Sequence, residues 1–209
     1  MLGKIISPMN VKYTIIKVVL SVIIIVLAYL IYESIMRPVR FNKATAERET
    51  KVIAQLIDLR TAQQFFKREH SRYTSSFDTL ITFLKTGEIP VVKMIPDPND
   101  TTFTKTISDT LGYVKVADSL FSKRQNFNLD QLKFVPFSDG KPFEMAAGSI
   151  DRGGIKVSVY EIKAPYSTYM KGLDRQLVTN LTKSKEDIDR YPGLKVGSMS
   201  EPSTDGNWE

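Results

Sequence analysis

The distribution of hydrophobic positions separates an apolar N-terminal stretch from an amphipathic remainder. Residues 18–31 carry no acidic or basic side chain, and Ser21 is the only small polar residue among them. A helix needs about 20 apolar residues to cross the ~30 Å hydrocarbon core of a bilayer, and apolar residues on both flanks extend the run to 13–36. The pattern predicts a transmembrane helix over residues 13–36, preceded by a short N-terminal tail over residues 1–12.

The ends of this run carry residue types that suit a membrane–water interface. Long basic side chains near a helix end can reach the headgroups, and tyrosine rings favour the same depth. A cleaved signal peptide is the alternative, but no small-x-small cleavage site follows the run; bases follow it instead. We therefore expect an uncleaved anchor, with these residues at the interface: Tyr13, Lys17, Tyr32, Arg37 and Arg40.

A second, amphipathic pattern follows the apolar run. Apolar residues at positions 52, 56, 59 and 66 are spaced 4, 3 and 7 apart, with Gln63 in the missing place. This spacing predicts a juxtamembrane helix over residues 37–72, with Pro38 as a break or kink. The stripe fits either a core helix of the soluble domain or a seam that joins copies of the protein. The candidate interaction residues are Val52, Ile53, Leu56, Leu59 and Phe66.

The rest of the chain predicts a soluble α+β domain over residues 73–192 and a C-terminal tail over residues 193–209. Serines at 75 and 76 can cap a helix that reaches Leu84 and stops at Gly87. Strands are expected over residues 91–95 and after residue 110, and a meander over residues 132–164 turns at Asp139-Gly140 and at 151–154. Another helix is expected over residues 173–181. The predicted fold class is α+β: one N-terminal transmembrane helix, and an amphipathic helix packed on an antiparallel β-sheet.

Charge and composition limit the chemistry of the chain. Its formal charge is +6, but the bases alternate with acids along the chain, so we expect no nucleic-acid partner and assign the cluster after the apolar run to inner-membrane lipids. The absence of cysteine excludes disulfides and thiolate chemistry. No nucleotide loop, zinc motif or nucleophile elbow occurs, and His70 lies in a charged stretch typical of solvated side chains. We predict no enzyme activity, no cofactor and no catalytic or metal-binding residue.

The stretch "RETKVIAQLIDLRTAQQFFKREHSRYTSSFDTL", residues 48–80, resembles type IV pilins and the pseudopilins of type II secretion. It has their rhythm of apolar helix positions, followed by a polar segment, a tyrosine and a loop. The resemblance implies a pilin-like layout, in which a hydrophobic helix continues into an amphipathic half that packs on an antiparallel sheet. The chain differs from a prepilin in that Lys4 and Ile5 follow Gly3, and no glutamate precedes Glu33.

Three further stretches, "FNKATAERETKVIAQLIDLRTAQQFFK", "FDTLITFLKTGEIPVVK" and "YPGLKVGSMSEPSTDGNWE", are similar to a family of single-pass membrane proteins of Bacteroidota without an assigned activity. Bacteria of that lineage attach O-glycans to exported proteins at Asp-Ser/Thr followed by an apolar residue or threonine. The resemblance implies a periplasmic soluble domain, whereas the count of bases around the apolar run favours a cytoplasmic one. The candidate O-glycosylation residues are Thr79, Thr101, Thr110 and Ser119.

These patterns lead to two expectations about function. The first is a membrane-anchored structural or assembly protein of a bacterial envelope or secretion apparatus, pilin-like, that contacts other envelope proteins or further copies of itself. The alternative is a membrane-tethered periplasmic binding module for peptidoglycan or an exported substrate. A long helix continuous with the span favours the first, and a deep polar pocket favours the second.

Overall fold

The computed structural model describes residues 8–96, 106–121 and 128–209. It has an α+β fold with a long N-terminal apolar helix and small antiparallel sheets. Two compact units, Met1–Ala46 and Glu47–Glu209, divide the chain. The helices are α1 (Pro8–His70), α2 (Phe77–Thr86), α3 (Val116–Phe121), α4 (Tyr166–Tyr169), α5 (Arg175–Glu186) and a 3-10 helix (Leu129–Lys133). The strands are β1 (Glu88–Pro96), β2 (Thr106–Lys115), β3 (Glu144–Arg152), β4 (Ile155–Pro165) and β5 (Gly193–Gly197).

Helix α1 has 63 residues and covers both predicted helical segments, except that it ends at His70, two residues before the predicted end. The predicted break at Pro38 is wrong, because the helix continues on both sides of the proline. Proline removes one backbone N–H from the helical ladder. The residues that follow, including Lys43, Ala44 and Ala46, favour the helical state and let the helix continue.

Helix α2 confirms the predicted capped helix. The Ser76 hydroxyl accepts a hydrogen bond from the backbone N–H of Thr79, so Ser76 is the N-cap. Gly87 ends the helix, and its N–H donates to the carbonyl of Phe83. A side chain at Gly87 would collide with that carbonyl, which explains the glycine. The helix buries Leu80, Ile81 and Leu84.

Strands β1 and β2 form a two-stranded antiparallel sheet. The register runs from Glu88 opposite Lys115 to Pro96 opposite Thr106, with an irregularity between Val91 and Val92. The predicted strand over residues 91–95 is confirmed and extends further in both directions. The strand predicted after residue 110 also exists, but α3 follows it where a turn was expected.

Strands β3, β4 and β5 form the second sheet, with β4 in the centre. Arg152 and Ile155 are the last pair before the β3–β4 turn. Gly153 and Gly154 make that turn with φ of 65° and 86°, the left-handed values that a type I′ turn requires. The turn predicted over residues 151–154 is therefore confirmed.

The predicted strand at the start of the meander is wrong. Residues 129–133 form a 3-10 helix instead, and only Phe134 pairs, in an isolated bridge to Pro142. The Asn128 side chain accepts from the N–H of Asp130, a local bond that competes with a strand. The predicted turn is present: Asp139 and Gly140 have φ of 54° and 81°, and the N–H of Val135 donates to the carbonyl of Lys141.

Residues 193–209, expected as a tail, complete the second sheet. Strand β5 pairs with β4 from Pro165 opposite Gly193 to Glu161 opposite Gly197. Val196 also bridges to Gly206, so the chain returns along the outer edge of β5. Glycines bound this short strand, and a side chain at Gly193 or Gly197 would collide with the β4 backbone. The strand signal is weak in the sequence because only five residues carry it.

The core of the second unit lies between the C-terminal half of α1, helix α2 and the β3–β4–β5 sheet. The apolar stripe of α1 is buried there, as the core interpretation of the stripe predicts. Gln63 on α1 lies within 3.0 Å of the Met145 sulfur on β3, which marks the face of α1 that meets the sheet. The largest fully buried side chains include Tyr160, Tyr169, Leu56, Leu59, Leu80, Leu84, Leu132 and Ile162.

Candidate functional site

The N-terminal part of α1 presents an apolar surface on all sides. An 18-residue window within it has a mean hydropathy of 2.8, and none of that window is buried within the chain. The Ser21 hydroxyl donates to the carbonyl of Lys17 at 2.9 Å, so the one polar group of the run is satisfied within the helix. Among the described residues, this stretch is the one long and apolar enough to cross a membrane.

The predicted interface residues lie at the two ends of this stretch. Tyr13, Lys17 and Tyr32 are exposed, as are both arginines after the run. Arg40 forms an ion pair with Glu33, two helical turns earlier. This pair neutralises the single acid of the run beside the basic cluster, and an acid without such a partner would be costly near a bilayer.

The candidate interaction stripe is part of the protein core. Val52, Leu56 and Leu59 have no exposed surface, and Phe66 is 2% exposed. Ile53 is the one member that remains partly exposed. Burial of such side chains stabilises the fold by roughly 1.5–3 kcal/mol each, so exposing them to a partner would require unfolding. The four buried members are therefore not available to a partner of the folded domain, and the expectation is corrected for them.

Polar side chains of α1 fix the helix to the rest of the second unit. The Arg48 guanidinium donates to the carbonyls of Tyr169 and Lys171 at 2.8 and 2.9 Å. Arg60 forms a 2.7 Å ion pair with Glu209. The sequence pattern missed these contacts, because polar residues on a helix surface have no periodic signal that separates bound from solvated side chains.

A cleft of about 740 Å³ lies beside α1, between Gln55 and the loop that follows the 3-10 helix. The Gln55 amide nitrogen lies 2.9–3.0 Å from the carbonyls of Gln131, Leu132 and Phe134 and holds the end of the 3-10 helix and the start of that loop in place. Phe137 borders the cleft with a φ of 63°, a left-handed conformation that is rare for a bulky residue.

Two cations of α1 cover the Phe137 ring. The Arg48 guanidinium carbon lies 5.1 Å and the Lys51 amine 5.2 Å from its centroid. Such cation–π contacts are worth about 0.5–1 kcal/mol each at exposed positions. The arrangement holds an aromatic side chain at the cleft in a strained backbone conformation, a combination that is typical of binding surfaces.

A second, more polar cleft of about 540 Å³ lies between α1, α5 and the C-terminal segment. Charged residues of both signs line it, including Glu49, Lys185 and Arg190, together with Trp208. Burial raises the pKa of the Glu49 carboxyl, and the nearby Lys185 amine offsets part of that shift. The cleft suits a polar ligand with groups of both charges better than a simple anion.

Two tyrosine hydroxyls are buried without a hydrogen-bond partner among the described residues, those of Tyr160 and Tyr169. Burial is the main cause that raises the pKa of both phenols, and the Glu49 carboxylate contributes at Tyr169. Neither phenol therefore ionises near neutral pH. Both rings fill the core, and their chemistry is that of large apolar side chains.

His70, which we expected to be solvated, is exposed but not isolated. Its ring stacks on Phe66 with centroids 4.2 Å apart and meets the edge of Phe83 at 5.4 Å. Its Nδ1 lies 3.2 Å from the Phe66 carbonyl. The histidine therefore closes the last turn of α1 over an aromatic pair.

The candidate O-glycosylation residues lie in regular secondary structure where the structure describes them. Thr79 is exposed in the first turn of α2, and Ser119 is exposed in α3. Thr110 lies in β2. Thr101 lies outside the described residues. A glycan on Thr79 or Ser119 would extend into solvent without disturbing the core.

Comparison with protein-family models, with curated proteins and with solved structures finds no match for this chain. Function is therefore inferred from its own sequence and geometry. Three features bear on it: the exposed apolar stretch of α1, the small domain built on the other half of that helix, and the cleft beside Phe137.

Proposed function

We propose that the chain is a membrane-anchored structural or assembly protein with a pilin-like layout, serving a bacterial envelope or secretion apparatus. Its partners are inner-membrane lipids and other envelope proteins or further copies of the chain. One observation carries the proposal. Helix α1 exposes every apolar side chain over residues 13–35 but buries the stripe that begins at Val52 in a small α+β domain.

The exposed stretch supports the anchor. Each large apolar side chain left in water forgoes roughly 1.5–3 kcal/mol of transfer free energy, and a bilayer recovers it along the whole stretch. Tyr13 and Tyr32 lie where interfacial aromatics are found, and Arg37 and Arg40 follow where anionic headgroups attract bases. The Glu33–Arg40 pair leaves no uncompensated acid on this stretch.

The contacts within the second unit favour a role as a rigid scaffold over a catalytic role that requires movement. Three side chains of α1 make these contacts. Gln63 contacts β3, Arg48 binds the segment after α4, and Arg60 pairs with the C-terminal segment. A helix held to the rest of its unit at three separate points transmits position well, which suits a protein that acts by contact. The amphipathic helix on an antiparallel sheet also supports the pilin-like description.

Orientation is the first test, and we propose a periplasmic domain. Thr79 and Ser119 are exposed and lie in the Asp-Ser/Thr pattern of O-glycosylation, which supports export. The basic residues favour a cytoplasmic domain instead, because five follow the apolar run and three precede it. Protease added to spheroplasts should digest the C-terminal domain. Protection in intact spheroplasts, with digestion only after lysis, would place the domain in the cytoplasm and overturn the export argument.

Association of the full-length protein is the second test. In mild detergent we expect an oligomer or a complex with other envelope proteins. Single cysteines at Ser21 and at the partly exposed Ile53 should cross-link in membranes, since the native chain has no thiol. A cysteine at Thr179, exposed on α5, controls for random collision. A protein that stays monomeric and cross-links to nothing would overturn the assembly proposal.

A tethered binding module is the second candidate, and the cleft beside Phe137 favours it. Phe137 has a left-handed backbone conformation, and the side chains of Arg48 and Lys51 lie over its ring. The ring offers a stacking surface for a sugar ring or an aromatic side chain. Soluble peptidoglycan fragments are the ligand to test, by calorimetric titration. Binding that Phe137→Ala reduces at least tenfold would support this candidate, and the absence of binding would leave it without support.

A further inference from the structure

The outer edge of β3 lacks the features that normally keep a sheet edge from pairing. Its register against β4 is continuous from Glu144 to Arg152, so the strand has no bulge. Residues 145–150 contain no proline and no charge. Free edges of this kind pair with other strands unless they are blunted by prolines, charges, bulges or cover.

The other edges in the described part of the chain are protected. Strand β1 contains Pro90 and Pro96. The register irregularity after Val91 leaves Leu111 of β2 without an opposite residue, so the free edge of β2 is interrupted as well. The outer side of β5 is covered by the returning chain, which bridges Val196 to Gly206. Among the strands that the structure describes, β3 alone presents a long, regular and uncovered edge.

The hairpin turn determines which groups of β3 point outward. In a two-residue type I′ hairpin the closing pair, here Arg152 and Ile155, exchanges hydrogen bonds. The pattern alternates along the strand, so the N–H and C=O groups of residues 145, 147, 149 and 151 face away from β4. Within the described ranges, none of these groups has a backbone partner.

The sequence of β3 is complementary to itself. A two-fold axis at Gly148 places Ala147 opposite Ser149 of a second copy, and these residues carry outward-facing backbone groups. The same axis places Glu144 opposite Arg152 of the second copy, and Arg152 opposite Glu144. Both side chains are exposed, and small residues occupy the centre of the contact.

We propose that two copies of the chain associate through antiparallel pairing of their β3 strands about Gly148, which joins their three-stranded sheets into one of six strands. Association of this kind is isologous and closes on itself as a dimer. Backbone hydrogen bonds provide the affinity, and the two Glu144–Arg152 pairs select the register. The inference rests on the proposed assembly role and names a second copy as one partner.

Disulfide trapping of the full-length protein in membranes tests the contact. At the axis, a non-hydrogen-bonded pair brings the two Gly148 Cα atoms to about 4.5 Å, within the range that a disulfide requires. Gly148→Cys should therefore give a covalent dimer on mild oxidation. Thr179→Cys, exposed on α5, is the matched control and should stay monomeric.

A second pair of variants tests the register and avoids the Met199 methyl group that lies 3.2 Å from the site of a Cβ at Gly148. Ala147→Cys and Ser149→Cys chains, tagged at different sizes and produced together, should cross-link to each other in preference to themselves. Equal yields of the mixed dimer and of the two unmixed dimers, or no cross-linked dimer at all, would overturn the proposed register.

Reversing the charges at the two ends of β3 distinguishes specific pairing of the strands from random collision of the chains. Glu144→Arg and Arg152→Glu should each lower the trapped fraction about three- to tenfold, since each places like charges in two opposed pairs. The double variant should restore trapping. One result would refute the β3 contact and leave the assembly role standing. In that result the β3 cysteines give no covalent dimer and the charge variants change nothing, while the full-length protein still forms a complex. A protein that is monomeric in every assay refutes both.

Discussion

Gln63 and Thr74 form a reciprocal pair of hydrogen bonds. The Gln63 amide nitrogen donates to the Thr74 carbonyl at 2.7 Å, and the Thr74 N–H donates to the Gln63 amide oxygen at 3.2 Å. Gln63 has no exposed surface and occupies the place in the α1 stripe where periodicity calls for an apolar residue. Its side chain substitutes for a strand partner and holds the segment after α1 against the helix.

Replacing Gln63 should therefore destabilise the domain. Gln63→Ala leaves two backbone groups of Thr74 unpaired, at about 1–3 kcal/mol for each group that stays buried. Gln63→Leu keeps the volume of the side chain and removes only its hydrogen bonds. The stability that this variant loses therefore measures the contribution of the hydrogen-bonded pair. Gln64→Ala, exposed on the same helix, should change stability by less than about 0.5 kcal/mol. Urea unfolding of the full-length protein in mild detergent measures all three variants, and equal midpoints for the three would refute the role of the pair.

Leu56 and Ile57 are adjacent on α1 but differ in burial. Leu56 has no exposed surface, whereas Ile57 is 37% exposed. Leu56→Ala should cost about 2–5 kcal/mol, because it removes buried methyl groups and leaves a cavity. Ile57→Ala should cost clearly less. Thermal unfolding monitored by circular dichroism compares them, and an unchanged midpoint for Leu56→Ala would show that the stripe is outside the core.

Glu49 should make stability depend on pH. Burial raises the pKa of its carboxyl above the ordinary 4.5, so the folded state binds the proton more tightly than the unfolded state does. The favourable contribution is present below pH 4.5 and is lost as the pH rises through the raised value. Glu49→Gln should therefore raise the melting temperature at pH 7 and lose that advantage near pH 4. The exposed Glu47→Gln is the control, and a gain that is constant with pH would contradict the assignment.

Tyr169 carries a buried hydroxyl without a partner among the described residues. Tyr169→Phe removes that polar group and keeps the ring, so stability should stay constant or rise by about 1 kcal/mol. Tyr113→Phe, at an exposed ring on β2, should have no effect. Chemical unfolding at neutral pH compares the two variants. A loss of stability for Tyr169→Phe would reveal a hydrogen bond that the hydroxyl makes in solution.

The elements that periodicity and turn chemistry specify were predictable. The buried stripe of α1, the cap at Ser76 and the turn at Gly153-Gly154 each depend on local signals that the fold reinforces. The predicted strand before Phe137 failed, because the Asn128 cap and the Gln55 amide engage that backbone. Strand β5 was missed because its pairing partner lies about thirty residues earlier and its own apolar signal is short.

The candidate functional residues were less predictable than the fold. Nothing in the sequence separates Arg48 and Lys51 from other polar positions on the surface of α1, yet both lie over the ring of Phe137, which is distant in sequence. The open edge of β3 has no signal in a single sequence, since it depends on which strands pair and which edges the chain covers. The apolar run, by contrast, was recognisable because length and hydropathy alone define it.

Closure of the sheet by residues 193–209 has a consequence for biosynthesis. The Arg60–Glu209 contact spans 149 positions, and β4 lacks its second neighbour until β5 has been made. A nascent chain whose long N-terminal helix has already been synthesised therefore carries an incomplete domain while translation continues. The second sheet can close only after β5 has left the ribosome. The order of elements along the chain thus places completion of the domain near the end of its synthesis.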